Sequence, residues 1–142
     1  SLQGQVKMKT KDQQFSRGQI AKYTNIKAET IRYYETCGLL HSPARSAGGH
    51  RIYTEDHAKR LTFIRRSREL GFTVNQITGL IELSEEHHKS CSRVRDVTAT
   101  HLAEVKGKIK DLKKMERTLN QMVSQCDETS SPECPIIERL FC

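Results

Sequence analysis

Three thiols and a basic half carry the chemistry that this sequence offers. Cys91 and Cys126 lie 35 residues apart, five whole heptads. On one continuous helix both would project from the same stripe at opposite ends, about 50 Å from each other. That distance rules out a disulfide or a shared metal ion within one chain. In an antiparallel pair of such helices pivoting near Lys108, however, Cys91 of one copy lies beside Cys126 of the other, and the two-fold axis repeats the encounter. The spacing therefore predicts two sites built in trans. Cys134 follows Cys126 across CDETSSPEC, a loop short enough to return its thiol to the helix end, and Pro135 suits a first helical position. A helix N-terminus favours thiolate at Cys134, whereas Cys126 at a helix C-terminus needs a compensating cation. Together Cys126, Cys134 and Cys91 from a second copy offer three sulfur ligands to one soft cation.

Plainer readings stand beside this one. A cysteine in a helical seam commonly serves as a small buried apolar residue, and Cys126 and Cys134 could pair as a disulfide, which a reducing compartment disfavours. Cys37, just before Gly38, reads as packing and Cys142 as tail. His87 and His88 read as solvated linker residues with an outside role as ligands, and His101 as a residue at the edge of the seam.

The elements that must position these groups follow from periodicity. Cys91, Thr98, Val105, Leu112, Leu119 and Cys126 share one heptad register, with Val94, Leu102, Ile109, Met115, Met122 and Val123 at companion positions and no proline between the two cysteines. So narrow an apolar seam needs a partner helix, which predicts a homodimer through a long coiled coil. Upstream, Phe15 to Leu40 holds two short helical patterns, one capped by Ser16 with Ile20, Ala21 and Tyr23 on its apolar face, the other built on Ala28, Ile31 and Tyr34 and stopped by Gly38. Their closeness suggests a helix-turn-helix. His41 to Tyr53 contains Pro43 and a Gly48-Gly49 turn and reads as a hairpin-like wing. Thr54 caps a helix to about Leu70 that buries Ala58, Leu61, Ile64 and Leu70, Gly71 ends it, and Thr73-x-x-Gln76 is a capping box for a helix carrying Ile77, Leu80, Ile81 and Leu83. The fold class is mainly α: a winged helix-turn-helix over 14–83, a dimerisation helix over 84–126, and a metal-binding loop with a short C-terminal helix over 127–142.

Composition sets the outer bounds. The 142 residues make about one domain, and with 35% apolar residues, 6% aromatic and no tryptophan an elongated helical shape is easier to build than a deep core. No run approaches a membrane span and Ser1 to Gln14 is polar, so a soluble, cytoplasmic protein without a membrane partner is expected. Fourteen Lys and Arg face seven acids over 1–83, while 84–142 is balanced at ten each. The net charge of +7 thus sits in the helix-turn-helix half, whose natural partner is a polyanion.

TIRYYETCGLL followed by PARSAGGHRIYTEDHAKRLTFIRRSRELGFTVNQI resembles the winged helix-turn-helix of the mercury-resistance-regulator (MerR) family of bacterial transcription factors. The most specific marks are IRYYE before GLL, the R-x5-RIY wing and RELGF, and the likeness runs from Phe15 to Leu140. The second half, HLAEVKGKIKDLKKMERTLNQMV and then C-x7-CPIIERL, is similar to the metal-sensing branch, in which an antiparallel helix joins the dimer and thiols bind metal at its two ends. The resemblance implies that Arg17, Thr30, Arg32, Tyr33, Arg45, Arg51 and Tyr53 contact double-stranded promoter DNA, with the second helix in the major groove and the wing on the flanking backbone. It also implies that RNA polymerase is engaged at the promoter. The apo dimer would repress, and the metal-bound form would activate by bending and untwisting the DNA, a deformation of order 1–6 kcal/mol.

Within that branch, a cysteine at the position of Cys91 goes with divalent ions and a serine with copper(I) or gold(I). Three thiolates and no histidine in the Cys126 to Cys134 loop suit mercury(II) or lead(II), with cadmium(II) or zinc(II) behind them; zinc would need a fourth ligand from water, Glu133, His87 or His88. MERTLNQMV and CPII look most like mercury sensors, whereas the seven-residue loop has the length of the copper and gold sensors. Two further readings compete: a thiol oxidation or electrophile sensor using Cys91, Cys126 or Cys134, and a metal-buffering protein whose basic half is incidental. An enzyme is disfavoured, since no Ser-His-Asp order, phosphate-cradling glycine loop or H-E-x-x-H is present.

Overall fold

Ser16 starts the first helix by a reciprocal cap: its hydroxyl accepts from the Gln19 N–H at 3.1 Å while the Gln19 side chain accepts from the Ser16 N–H at 2.8 Å. The helix, α1, runs Arg17–Thr24, and Asn25 ends it in the left-handed region at φ 57°. That conformation turns the chain sharply enough for α2, Ala28–Thr36, to begin three residues later. The computed structural model describes residues 13–86, 91–126 and 134–141. His87, His88, Cys142 and the loop 127–133 with Glu133 lie outside them.

Three short strands assemble beside the helices in the order β1-β3-β2, with β1 at Gln14–Phe15, β2 at Ala44–Arg45 and β3 at Arg51–Thr54. The expected wing is the antiparallel β2–β3 hairpin, registered Ala44 with Ile52 and Arg45 with Arg51. Its turn closes through Gly49 N–H to Ser46 O at 2.9 Å and needs a residue at φ +82°, which Gly49 supplies without a Cβ penalty. The third strand is an addition to the sequence reading: β1 pairs Phe15 with Tyr53 and makes β3 the central strand.

Thr54 then caps α3, Glu55–Glu69, with His57 at the reciprocal position. Because His57 Nδ1 accepts from the Thr54 N–H at 3.0 Å, its ring proton sits on Nε2, 3.1 Å from the His41 carbonyl. α4, Val74–Glu85, opens on the Thr73 and Gln76 box and is joined to α3 by an Arg60–Glu85 ion pair. Ile20, Ile31, Leu40, Tyr53, Leu61, Ile64 and Ile77 are fully buried and fill the space between these elements. Leu70 departs from expectation and is 68% exposed. Gly71 turns the chain at φ +87°, so that Phe72 goes inward in its place. Tyr23 is likewise exposed, and Thr24 takes the inner position.

The chain divides into two units, 1–90 and 91–142. α4 extends to Glu85, and the described part of the long helix, α5, spans Cys91–Gln125. The short helix α6, Pro135–Phe141, lies against α5 within the second unit. Along α5 only His101 and Met122 are buried, while Leu102, Ile109, Leu112, Met115, Leu119 and Val123 face solvent. Among the described residues no helix is long and apolar enough to cross a membrane.

Leu61 lies at 0% exposure in the first core, so Leu61→Ala is expected to cost roughly 2–5 kcal/mol of unfolding free energy. Thr54→Ala, which removes one cap, is expected to cost about 1 kcal/mol. Urea titration followed by circular dichroism measures both.

Candidate functional site

The basic residues converge on a groove in the first unit. Arg17 at the start of α1, Arg32 on α2, and Arg45 and Arg51 on the two wing strands line a cleft of about 600 Å³ together with Ser16, Gly18, Gly49 and His50. Arg45 is held along the wing by a 2.9 Å bond from Nη1 to the Gly49 carbonyl. A smaller recess of about 260 Å³ continues past Arg32, Arg45 and Arg51 to Glu35, Thr36, Ser42 and Pro43. Guanidinium groups can meet phosphate or base edges, and α2 stands beside them with Arg32 and Tyr33 exposed and Thr30 half-buried.

Tyr53 does not stand with them. Its ring is at 0% exposure, and its hydroxyl accepts from Arg17 Nε at 3.2 Å and donates to the Glu35 carboxylate at 3.2 Å. A side chain enclosed in this way lies in the core with its hydroxyl held between Arg17 and Glu35. On the central strand β3, Tyr53 pairs with Phe15 of β1, and both side chains are buried. Burial pushes the Tyr53 hydroxyl pKa up, with Arg17 opposing. Burial also works against the Arg17 charge, but the Tyr53 and Glu35 partners outweigh it and leave that pKa above the ordinary value. Sequence reasoning missed His50 in the groove and Glu35 behind it; their sole signal was position, the turn for one and the end of IRYYE for the other. Cys37, read as packing, is exposed, and its side chain bonds Tyr33 one turn back, which raises the Tyr33 pKa.

The second unit brings Cys126 and Cys134 together. Cys134 sits immediately before α6, where the Ile137 and Ile136 N–H groups point at its sulfur and the Cys126 side chain adds a further bond. These bonds, the backbone ones first, lower the Cys134 pKa below the ordinary thiol value. Cys91 opens α5 at the opposite end, and all three thiols are exposed and free. Among the described residues of one chain, no group of three His, Cys, Asp or Glu side chains converges to hold a metal ion. His101 on α5 is buried, its Nδ1 3.7 Å from Glu104.

A winged helix-turn-helix with an arginine-lined groove, followed by a long apolar-seamed helix, defines a DNA-binding protein of the winged-helix class. The model of MerR HTH family regulatory proteins matches residues 15–84, and that of the MerR DNA-binding region matches 58–122. The chain belongs to the MerR family of transcription regulators, which are not enzymes. It is 39% identical over 128 residues to the mercuric resistance operon regulatory protein of Bacillus cereus, covering 89% of this chain and 97% of that one. Among solved structures it resembles the lead(II) complex of the regulator PbrR691 from Ralstonia metallidurans CH34, with TM-score 0.76 and 37% identity over 89% of this chain and 98% of that one. The mercury(II) complex of MerR from Bacillus megaterium MB1 superposes with TM-score 0.67 at 37% identity, covering 86% and 95%.

The lowered Cys134 pKa has a direct readout. Its alkylation by iodoacetamide in the reduced, metal-free chain is expected to hold to lower pH than for an ordinary thiol, with its half-maximal rate at a lower pH than that of Cys37 in the same chain. Cys126→Ala should raise that midpoint slightly, since the backbone bonds are the larger cause. Peptide mass spectrometry across a pH series gives both values.

Proposed function

We propose that this chain is a homodimeric, metal-responsive regulator of transcription that binds promoter DNA through α2 and the wing. Its effector site is read as Cys126 and Cys134 of one subunit with the partner's Cys91. The observation that carries this reading is the layout of the second unit: two thiols gathered at one end of α5, a third in the same heptad register at the other, and an apolar seam in solvent between them. An antiparallel second copy would cover the seam and complete a three-thiol set at each end.

The donor set fits a soft ion. Three sulfurs, one already biased toward thiolate, favour mercury(II), with lead(II), cadmium(II) and zinc(II) weaker candidates. The mercury and lead regulators among the similar proteins support that order. In this reading the apo dimer represses and the loaded dimer distorts its promoter so that RNA polymerase engages. Such a response requires the activating conformation to bind the ion more tightly than the repressing one, since equal affinity shifts nothing.

Titration of the reduced, metal-free protein with mercury(II), lead(II), cadmium(II), zinc(II) and copper(I), followed by thiolate-to-metal absorption and competition, tests it. One ion per cysteine triad is expected, tightest for mercury(II) and lost in Cys91→Ser, with DNA affinity unchanged in that variant. Collapse of DNA affinity in Cys91→Ser would make Cys91 a packing residue. Absence of tight binding by every ion would sink the metal reading and leave oxidation of the adjacent Cys126 and Cys134 thiols as the signal. Sedimentation velocity is expected to show a dimer throughout.

A further inference from the structure

We infer that Glu35 is a positioning residue for DNA reading, locking α1, α2 and the wing into one rigid surface without itself touching the duplex; the inference rests on the basic groove being the DNA-binding face. The carboxylate lies at the end of α2 with its side chain 10% exposed. It accepts from Arg17 Nη2 at 3.2 Å and from the Tyr53 hydroxyl at 3.2 Å, while Arg17 Nε donates to the same hydroxyl at 3.2 Å. The three side chains form a closed ring in which each member bonds the other two. One comes from the start of α1, one from α2 and one from β3 of the wing.

Electrostatics alone argues against a carboxylate here. Glu35 also lines the recess shared with Arg32, Arg45 and Arg51, so its negative charge repels any polyanion that these arginines attract. Its benefit must then lie in geometry. Charge-assisted bonds are directional and strong where water is scarce. The ring fixes the offset between Arg32 on the helix and Arg45 and Arg51 on the wing, and bidentate contacts to base edges tolerate little error in that offset.

The two accounts predict opposite signs. If Glu35 acts only through its charge, Glu35→Gln should bind all DNA more tightly. If it positions, the same variant should lose affinity for a specific duplex while affinity for bulk DNA holds or rises. The probes are a duplex enriched by the wild-type chain from a random-sequence library and heterologous duplex as the bulk competitor, with full-length protein at a temperature where circular dichroism shows every variant folded. The ratio of specific to bulk affinity is expected to fall roughly tenfold or more in Glu35→Gln. Tyr53→Phe, which removes a single hydroxyl from a ring that stays buried, should give the same direction, and the double variant should fall less than the product of the two. Glu69→Gln, an exposed acid paired with Arg65 on α3, should leave the ratio unchanged. An unchanged ratio or tighter specific binding in Glu35→Gln and Tyr53→Phe overturns the positioning role. A wild-type chain that enriches no duplex overturns the reading of the groove, and the inference with it.

Discussion

Tyr53 has to meet two demands at once, and the first unit is arranged around the way it does so. Its ring belongs in the core, packed edge-on to His57 with centroids 5.5 Å apart, yet a buried hydroxyl without a partner would cost several kcal/mol. Arg17 and Glu35 remove that cost, and both are on helices that present side chains to the basic groove. Satisfying one buried oxygen therefore ties the wing strand to both helices. The apolar and polar requirements of this single residue are met from β1, α1 and α2 together.

The second unit is governed by a deficit. A helix of this length with Leu112, Met115, Leu119 and Val123 each more than half exposed leaves apolar area in water that would stabilise an assembly at roughly 25 cal/mol per Å² once covered. α6 covers only a short stretch of it. In the proposed dimer, the seam that asks for a second copy also fixes where the thiols point, so association and ligand placement would draw on one set of side chains.

Much of this was legible from residue types alone. Ser16, Thr54 and Thr73 announced three helix starts because a capping hydroxyl acts over three residues, and Gly49 announced the wing because positive φ is a local demand. The heptad register of α5 was legible for the same reason, since its period lies within one element. What escaped was non-local. A two-residue strand such as β1 has no period to detect, and without it Tyr53 reads as an exposed wing residue. Leu70 reads as buried and is exposed because Gly71 redirects the chain, and helix periodicity is silent beyond a turn. Glu35 was one acid among seven in the first half; only the fold shows that it meets Arg17 and Tyr53. Of the thiols, the pairing of Cys126 with Cys134 followed from loop length, whereas the two backbone N–H groups aimed at Cys134 emerge only once α6 is in place.

The whole-heptad spacing of α5 also limits how this chain can change. Each residue inserted into or deleted from the helix turns everything beyond it by about 100° and shifts it by about 1.5 Å. A single insertion would swing one cysteine out of the stripe it shares with the other, whereas a change of seven residues returns it to within about 20°. α5 is thus a ruler as well as a strut. Substitutions on its solvent face leave the measurement intact. The number of residues between Cys91 and Cys126 sets whether the two thiols share a stripe.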